Sequence, residues 1–185
     1  MKFTLKWLKE KQASHYLIDA FVKKFGNSTS LEKLVKWLHN ISEDFWESWI
    51  LGQDDALLTE MLLEAGANPN VNENDALKRA ASKGYLNTVK VLCFWGADVR
   101  AENDFSFKVA AGKGYLKTAQ FLKNFEPEVN IHAGDEYALK EAVRNNYFHM
   151  VDYLLSLGAW HDNIIQIAEN WGRDRMKKKL LTHIS

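Results

Sequence analysis

One pattern of residues occurs three times in this 185-residue chain, and it restricts the possible fold more than any other feature. The copies are DALKRAASKGYLNTVKVL from Asp75, FSFKVAAGKGYLKTAQFL from Phe105, thirty positions later, and YALKEAVRNNYFHMVDYL from Tyr137. Self-similarity at a short interval indicates a repeat architecture, in which each unit buries its apolar face only against its neighbours. The sequence therefore predicts a row of stacked units.

Each copy predicts two short helices. The first contains a pair of small residues, such as Ala80-Ala81, which allows neighbouring helices to approach closely, and a Gly or Asn turn follows. The second has apolar residues at helical spacing and is followed by Gly-Ala at Gly66, Gly96 and Gly158, where glycine supplies the left-handed residue that ends a helix. Glu126-Pro127 stands at this corner in the copy from Phe105 and predicts a local departure. The predicted fold class is all-α.

These copies resemble the ankyrin repeat, and the resemblance covers about residues 43–162. It lies in LLEAGANPN, ALKRAASKGYLNTVKVLCFWGADVR, FKVAAGKGYLKTAQFL and ALKEAVRNNYFHMVDYLLSLGA. The interval of thirty is shorter than the usual ~33 residues, so the finger, the segment that connects two units, is reduced to Ala101-Glu102-Asn103-Asp104. The usual Thr-Pro-Leu-His opening is also absent. This short form is similar to viral and prokaryotic arrays, and it implies an ankyrin solenoid.

The chain is predicted to have three parts. Residues 43–162 form the repeats, the first of them degenerate with its second helix from Asp55 to Glu64, and residues 163–185 form a helical C-terminal cap, because a terminal unit must keep one face polar. Residues 1–42 form an N-terminal helical module, similar to a leader of small bacterial and phage proteins. Its capping-box spacing predicts a helix over about 30–40. Trp37, Trp46 and Trp49 are expected to pack this module on the first repeat.

The residues that carry most enzyme chemistry do not form a recognisable pattern. Cys93 is the only cysteine and is predicted to be a packed side chain, the six histidines lack zinc-ligand spacing, and there is no phosphate loop. The chain has equal numbers of basic and acidic residues, 24 each, so its net charge gives no overall electrostatic attraction to nucleic acid or to a membrane. We therefore predict a cytoplasmic protein that is no enzyme and needs no cofactor or metal.

The predicted function is protein binding, by a monomer or weak homodimer. A small cytosolic inhibitor that neutralises one partner protein, such as a toxin-immunity protein or a phage anti-defence factor, fits these features. The resemblance implies that the partner contacts a concave surface built from the fingers and the first helices. The matching positions are Glu73, Asn74, Lys78, Lys83, Glu102, Asn103, Lys108, Lys113, Asp135, Glu136, Lys140, Arg144 and Asn145.

Two alternatives remain at this stage. An apolar row before the Gly-Ala corners is a second candidate surface, because exposed apolar rows mark interfaces. Its residues are Phe94, Trp95, Phe125, Leu157 and Trp160. The other alternative is a nucleic-acid-binding accessory protein that uses the basic C-terminal helix around Lys177-Lys178-Lys179, although no aromatic platform interleaves these lysines.

Overall fold

The computed structural model of the chain describes residues 2–10, 15–38 and 52–184. These residues are mostly helical, with one pair of short antiparallel strands near the N-terminus. The prediction of a predominantly α-helical protein is confirmed. Within the described ranges, every helix is too short or too polar to cross a membrane.

The N-terminal elements are β1 (Lys2–Thr4), α1 (Leu5–Glu10), α2 (His15–Phe25), β2 (Ser28–Ser30) and α3 (Leu31–Leu38). The sequence predicted helices alone here, whereas β1 pairs with β2 in the register Phe3 to Thr29. The pairing satisfies backbone N–H and C=O groups that would otherwise lack partners beside the helices. Phe25 contacts the rings of Phe21 and Trp37, at centroid distances of 5.4 and 5.2 Å. The predicted contacts of Trp46 and Trp49 lie outside the described residues.

The rest of the described chain consists of nine helices, which are arranged mainly as hairpins. They are α4 (Ala56–Glu64), α5 (Val71–Lys83), α6 (Leu86–Phe94), α7 (Ala101–Gly112), α8 (Leu116–Phe125), α9 (Ala133–Arg144), α10 (Phe148–Ser156), α11 (Ile164–Asn170) and α12 (Asp174–Ile184). The first helices α5, α7, α9 and α11 pack side by side in one layer, while α4, α6 and α8 pack in a second layer. The outer surface of the first layer is called the first-helix face below.

The first-helix layer is held together by small residues. Ala80, Ala81, Ala110, Ala111 and Ala142 are completely buried, so the predicted small pairs do allow neighbouring helices to approach closely. The second helices contribute larger apolar side chains to the same core, including Leu92, Leu122 and Leu154. At the C-terminal end, Ile164, Ala168, Met176 and Leu180 of α11 and α12 are buried in turn.

Each finger is a tight left-handed turn. Residues 72–74, 102–104 and 134–136 all have φ between 50° and 69° at the start of α5, α7 and α9. Because L-residues are strained there, and only Gly, Asn and Asp enter this region routinely, the Asn and Asp content of these segments suits the turn. In two of the three turns, the last residue bonds the next unit. Asn74 Oδ1 accepts a hydrogen bond from the Asp98 N–H at 2.7 Å, and Asp104 Oδ2 accepts one from the Asn130 N–H at 3.2 Å.

Candidate partner-binding site

Two aromatic rings lie exposed on the first-helix face. Phe105 and Tyr137 each follow a left-handed turn directly, and 37% and 44% of their surface is exposed. The Tyr137 ring leans over the preceding unit, where its Cε1 lies 3.2 Å from the position that a Cβ on Gly112 would take. Glycine at this position therefore lets the ring lie close to the helix backbone.

A pocket of about 200 Å³ lies between the two rings. It is lined by Phe105, Lys108, Val109, Gly134 and Tyr137. The Lys108 side chain runs past Gly134, since its Cδ is 3.7 Å from where a Cβ on that glycine would be. The pocket therefore combines apolar walls with the ammonium group of one lysine.

A second, more open pocket of about 410 Å³ lies on the other side of Phe105 and shares Phe105 and Val109 with the first. Most of its charged groups are paired. Lys78 Nζ contacts Glu102 Oε1 at 2.6 Å, and this bond holds the pKa of the Glu102 carboxyl below its usual value. Arg79 Nε contacts Asp75 Oδ2 at 2.5 Å. Lys113 Nζ donates to the Ser82 carbonyl at 3.1 Å, which leaves its positive charge without an acidic partner in this pocket.

Most of the residues predicted to bind a partner do lie on exposed or half-exposed positions. Lys140 pairs with Asp135 at 2.5 Å, which lowers the pKa of the Asp135 carboxyl. Arg144 pairs with Glu141 and lies over the Trp171 ring, 5.8 Å from its centroid. The exposed members of the set are Glu73, Lys83, Glu102, Asn103, Lys113, Asp135 and Asn145, and the half-buried members are Lys78, Lys108, Lys140 and Arg144.

Two predicted contact residues are instead buried. Asn74 and Glu136 are only 6% and 7% exposed. Each is the last residue of a left-handed turn, a position that directs the side chain into the stack rather than toward solvent. Asn74 bonds the next unit, as described above, and Glu136 Oε1 contacts the His132 ring. Neither is available to a partner.

The second candidate surface is shorter than predicted. Phe94 is 72% exposed, and its ring lies 5.4 Å from that of Phe125 and 6.2 Å from that of Phe121. Phe94, Phe121 and Phe125 are called the second-helix aromatic cluster below. Trp95 lies beside Phe94 in the chain and is also exposed.

Leu157 and Trp160 do not continue this row. Both pack against the core, and Trp160 stacks on His183 at a centroid distance of 5.9 Å. The corner after α8 also departs from the Gly-Ala pattern, since Glu126 is extended and precedes Pro127, which has no N–H to donate. The Gly-Ala geometry that would carry the row to the next unit is therefore interrupted there.

The exposed rings of Phe105 and Tyr137 were missed at the level of sequence. The signal was present, because the aligned copies put both residues at the same position, where the first copy has Asp75. An aromatic residue at the first position after a finger is the pattern that indicates this pocket.

Cys93 is a buried free thiol, as predicted. Burial raises the pKa of this thiol to about 12. The reactive species is the thiolate, which would be only about one molecule in 10⁴ at pH 8. The side chain therefore acts as a small packed residue in α6.

We expect Cys93 in the folded protein to resist alkylation. A maleimide added at pH 8 should modify the unfolded chain within minutes and the native protein orders of magnitude more slowly, since reaction requires local opening. Mass spectrometry along a urea series measures the modified fraction. Rapid labelling without denaturant would show that α6 is not packed as described.

The described ranges contain no group of three or more His, Cys, Asp or Glu side chains arranged to hold a metal ion. Two of the four Lys and Arg side chains of the basic C-terminal helix α12 are paired with acidic neighbours. Lys177 pairs with Glu169, and Lys179 pairs with Asp152. These pairs reduce the charge that α12 would present to a phosphate backbone.

No protein-family model matches the chain, and no curated protein matches it. A function for this chain therefore has to rest on the geometry of its own surfaces.

Proposed function

We propose that this chain is an ankyrin-repeat protein that binds another protein through its first-helix face. The observation that carries the proposal is the exposure of Phe105 and Tyr137, side by side, on a layer otherwise packed with buried alanines. Exposed apolar groups that form a contiguous patch mark interaction sites, and Tyr is enriched among the residues that dominate binding energy. The repeated helix pairs, the Gly-Ala corners and the short fingers support the ankyrin class.

The proposed role is that of a small cytoplasmic inhibitor, a monomer or weak homodimer, that neutralises one partner protein. Toxin immunity or interference with a host defence enzyme are roles of this kind. The side chains on a stack of rigid helices are already ordered before binding, so little conformational entropy is lost when the partner binds. The lysines around Phe105 would orient the partner and speed association more than they would add affinity. No catalytic step is required of the chain.

The test is the double substitution Phe105→Ala with Tyr137→Ala. The partner is first captured by cross-linking in a lysate of the source organism and then purified, and its Kd is measured by calorimetry. Truncating two anchor rings should weaken binding by about 2 kcal/mol or more, which is roughly thirtyfold. Both rings are partly exposed, so the variant should remain folded, which a circular dichroism melt checks.

The matched control is Phe94→Ala with Phe125→Ala, which removes two rings of the second-helix aromatic cluster. It should bind like the unmodified protein. If this variant loses binding and the Phe105/Tyr137 variant keeps it, the interface lies on the second helices and the proposed site is wrong.

We do not favour the nucleic-acid alternative. It depends on the lysines of α12, and two of them already pair with Glu169 and Asp152. If it were correct, retention on DNA or RNA would fall steeply with salt, because binding would release counterions from the phosphates.

A further inference from the structure

We infer that the first-helix face accepts an acidic linear segment of the partner, with one apolar side chain seated between Phe105 and Tyr137. This inference rests on the proposed function and specifies the chemistry of the partner.

The two pockets beside Phe105 form one groove. They share Phe105 and Val109, and they hold about 200 and 410 Å³ on either side of a single ring. The smaller pocket is walled by the two rings and the stem of Lys108, which suits one apolar side chain. In an extended peptide, residues i and i+2 point to the same side and lie about 7 Å apart. A segment laid across Phe105 can therefore place the side chains of residues i and i+2 in the two pockets.

The charges of the groove favour an acidic occupant. It contains four basic side chains, Lys78, Arg79, Lys108 and Lys113, and only two acidic ones, Asp75 and Glu102. Both carboxylates are already bonded, Glu102 to Lys78 and Asp75 to Arg79. The remaining positive charges, on Lys108 and Lys113, belong to different pockets. Carboxylates on each side of the apolar anchor would meet them.

A basic or neutral segment fits less well. Like charges that face each other across an interface repel, at a cost of several kcal/mol. A partner with a basic segment would be excluded from the groove by this repulsion. Single-stranded nucleic acid would need several cations along its backbone together with stacking platforms, and Lys78 and Arg79 are already paired. The excess of two positive charges in the groove therefore favours an acidic peptide.

The experiment is a selection from a library of random peptides displayed on phage, with the full chain immobilised. We expect enrichment of peptides that carry Asp or Glu on both sides of Leu, Ile, Phe or Met. A synthetic peptide of the enriched sequence, labelled with fluorescein, then gives a Kd by anisotropy. Lys108→Glu with Lys113→Glu should weaken this binding at least tenfold, and so should Tyr137→Ala.

The matched control is Lys23→Glu with Lys117→Glu, which reverses the same two charges at exposed positions outside both pockets and outside the predicted contact residues. It should bind the peptide with nearly unchanged affinity, and circular dichroism melts should show all variants folded. Enrichment of basic or neutral peptides would overturn the inference. So would equal binding by the Lys108→Glu/Lys113→Glu variant, or displacement of the peptide by single-stranded oligonucleotide.

Failure of this inference differs from failure of the proposed function. If no peptide is enriched while the Phe105/Tyr137 variant still fails to bind the captured partner, the face binds a folded surface. The inference of a linear acidic segment is then wrong. If an acidic peptide is enriched but the captured partner binds the Phe105/Tyr137 variant normally, the groove binds acidic peptides and the proposed partner interface is wrong.

Discussion

Replacing Phe107 by alanine is expected to lower the free energy of unfolding by about 3–5 kcal/mol. Phe107 is one of the largest side chains that are completely buried, and it lies in α7, between the layers formed with the neighbouring units. Removing its ring deletes apolar contacts and leaves a cavity that the surrounding alanines and leucines cannot fill without moving their helices. Urea denaturation followed by circular dichroism measures the change.

Phe105→Ala provides the comparison, because it removes the same ring two residues earlier in the same helix. Phe105 keeps more than a third of its surface exposed, so its loss should lower the free energy of unfolding by about 1–2 kcal/mol, clearly less than the loss at Phe107. Equal losses for both substitutions would mean that Phe105 also belongs to the core. The groove described above would then not be a binding surface.

The helix pairs could be predicted because their sequence signals are local and repeated three times. The small pair Ala110-Ala111 and the turn glycine Gly114 each recur in register with other copies, so an error in one copy would have been visible against the others. The helix from Asp55 to Glu64 was predicted as the second helix of a degenerate first repeat. It is present as α4, with Asp55 Oδ1 accepting a hydrogen bond from the Leu58 N–H at 3.0 Å. Such caps are readable from sequence because they involve residues three apart.

The fingers could not be predicted at this level, because their conformation is imposed by the neighbouring units. Glu73 and Glu102 adopt φ of 55° and 52°, in a region that glutamate rarely enters. The strain is accepted because the turn is short and its last residue bonds the next unit, as Asp104 bonds the Asn130 N–H. Glu136, which looks like a surface residue in the sequence, occupies the corresponding last position of its turn and is buried against His132.

The candidate site was predicted only in part. The resemblance to ankyrin repeats implied thirteen contact residues on the fingers and first helices, and four of them line the groove: Lys78, Glu102, Lys108 and Lys113. The sequence could not show that Lys78 is already paired with Glu102, since the two residues belong to different units. The pairing matters because it leaves Lys108 and Lys113 as the charges that distinguish an acidic partner from a basic one.

Gly84→Ala is expected to lower the free energy of unfolding by about 2–4 kcal/mol, while Gly96→Ala lowers it by about 1–2 kcal/mol. Both glycines have positive φ, +73° and +87°, so a Cβ introduces backbone strain at each. Only at Gly84 does the new atom also collide with a neighbour, since it would lie 2.4 Å from Cδ1 and 2.7 Å from Cγ of Tyr115 in the next unit. At Gly96 there is nothing within 4 Å.

A double-mutant cycle with Tyr115→Ala separates the collision from the backbone strain. In the Tyr115→Ala background the ring is gone, so Gly84→Ala should cost only the strain term, about the same as Gly96→Ala. The coupling energy obtained from urea denaturation then measures how tightly one unit packs on the turn of the unit before it. Gly114 and Tyr147 repeat this geometry one unit later, with a closest approach of 2.8 Å, and should show coupling of the same sign. Zero coupling at both sites would mean that the tyrosine rings move aside freely, so that the units are joined at their helices and not at their turns.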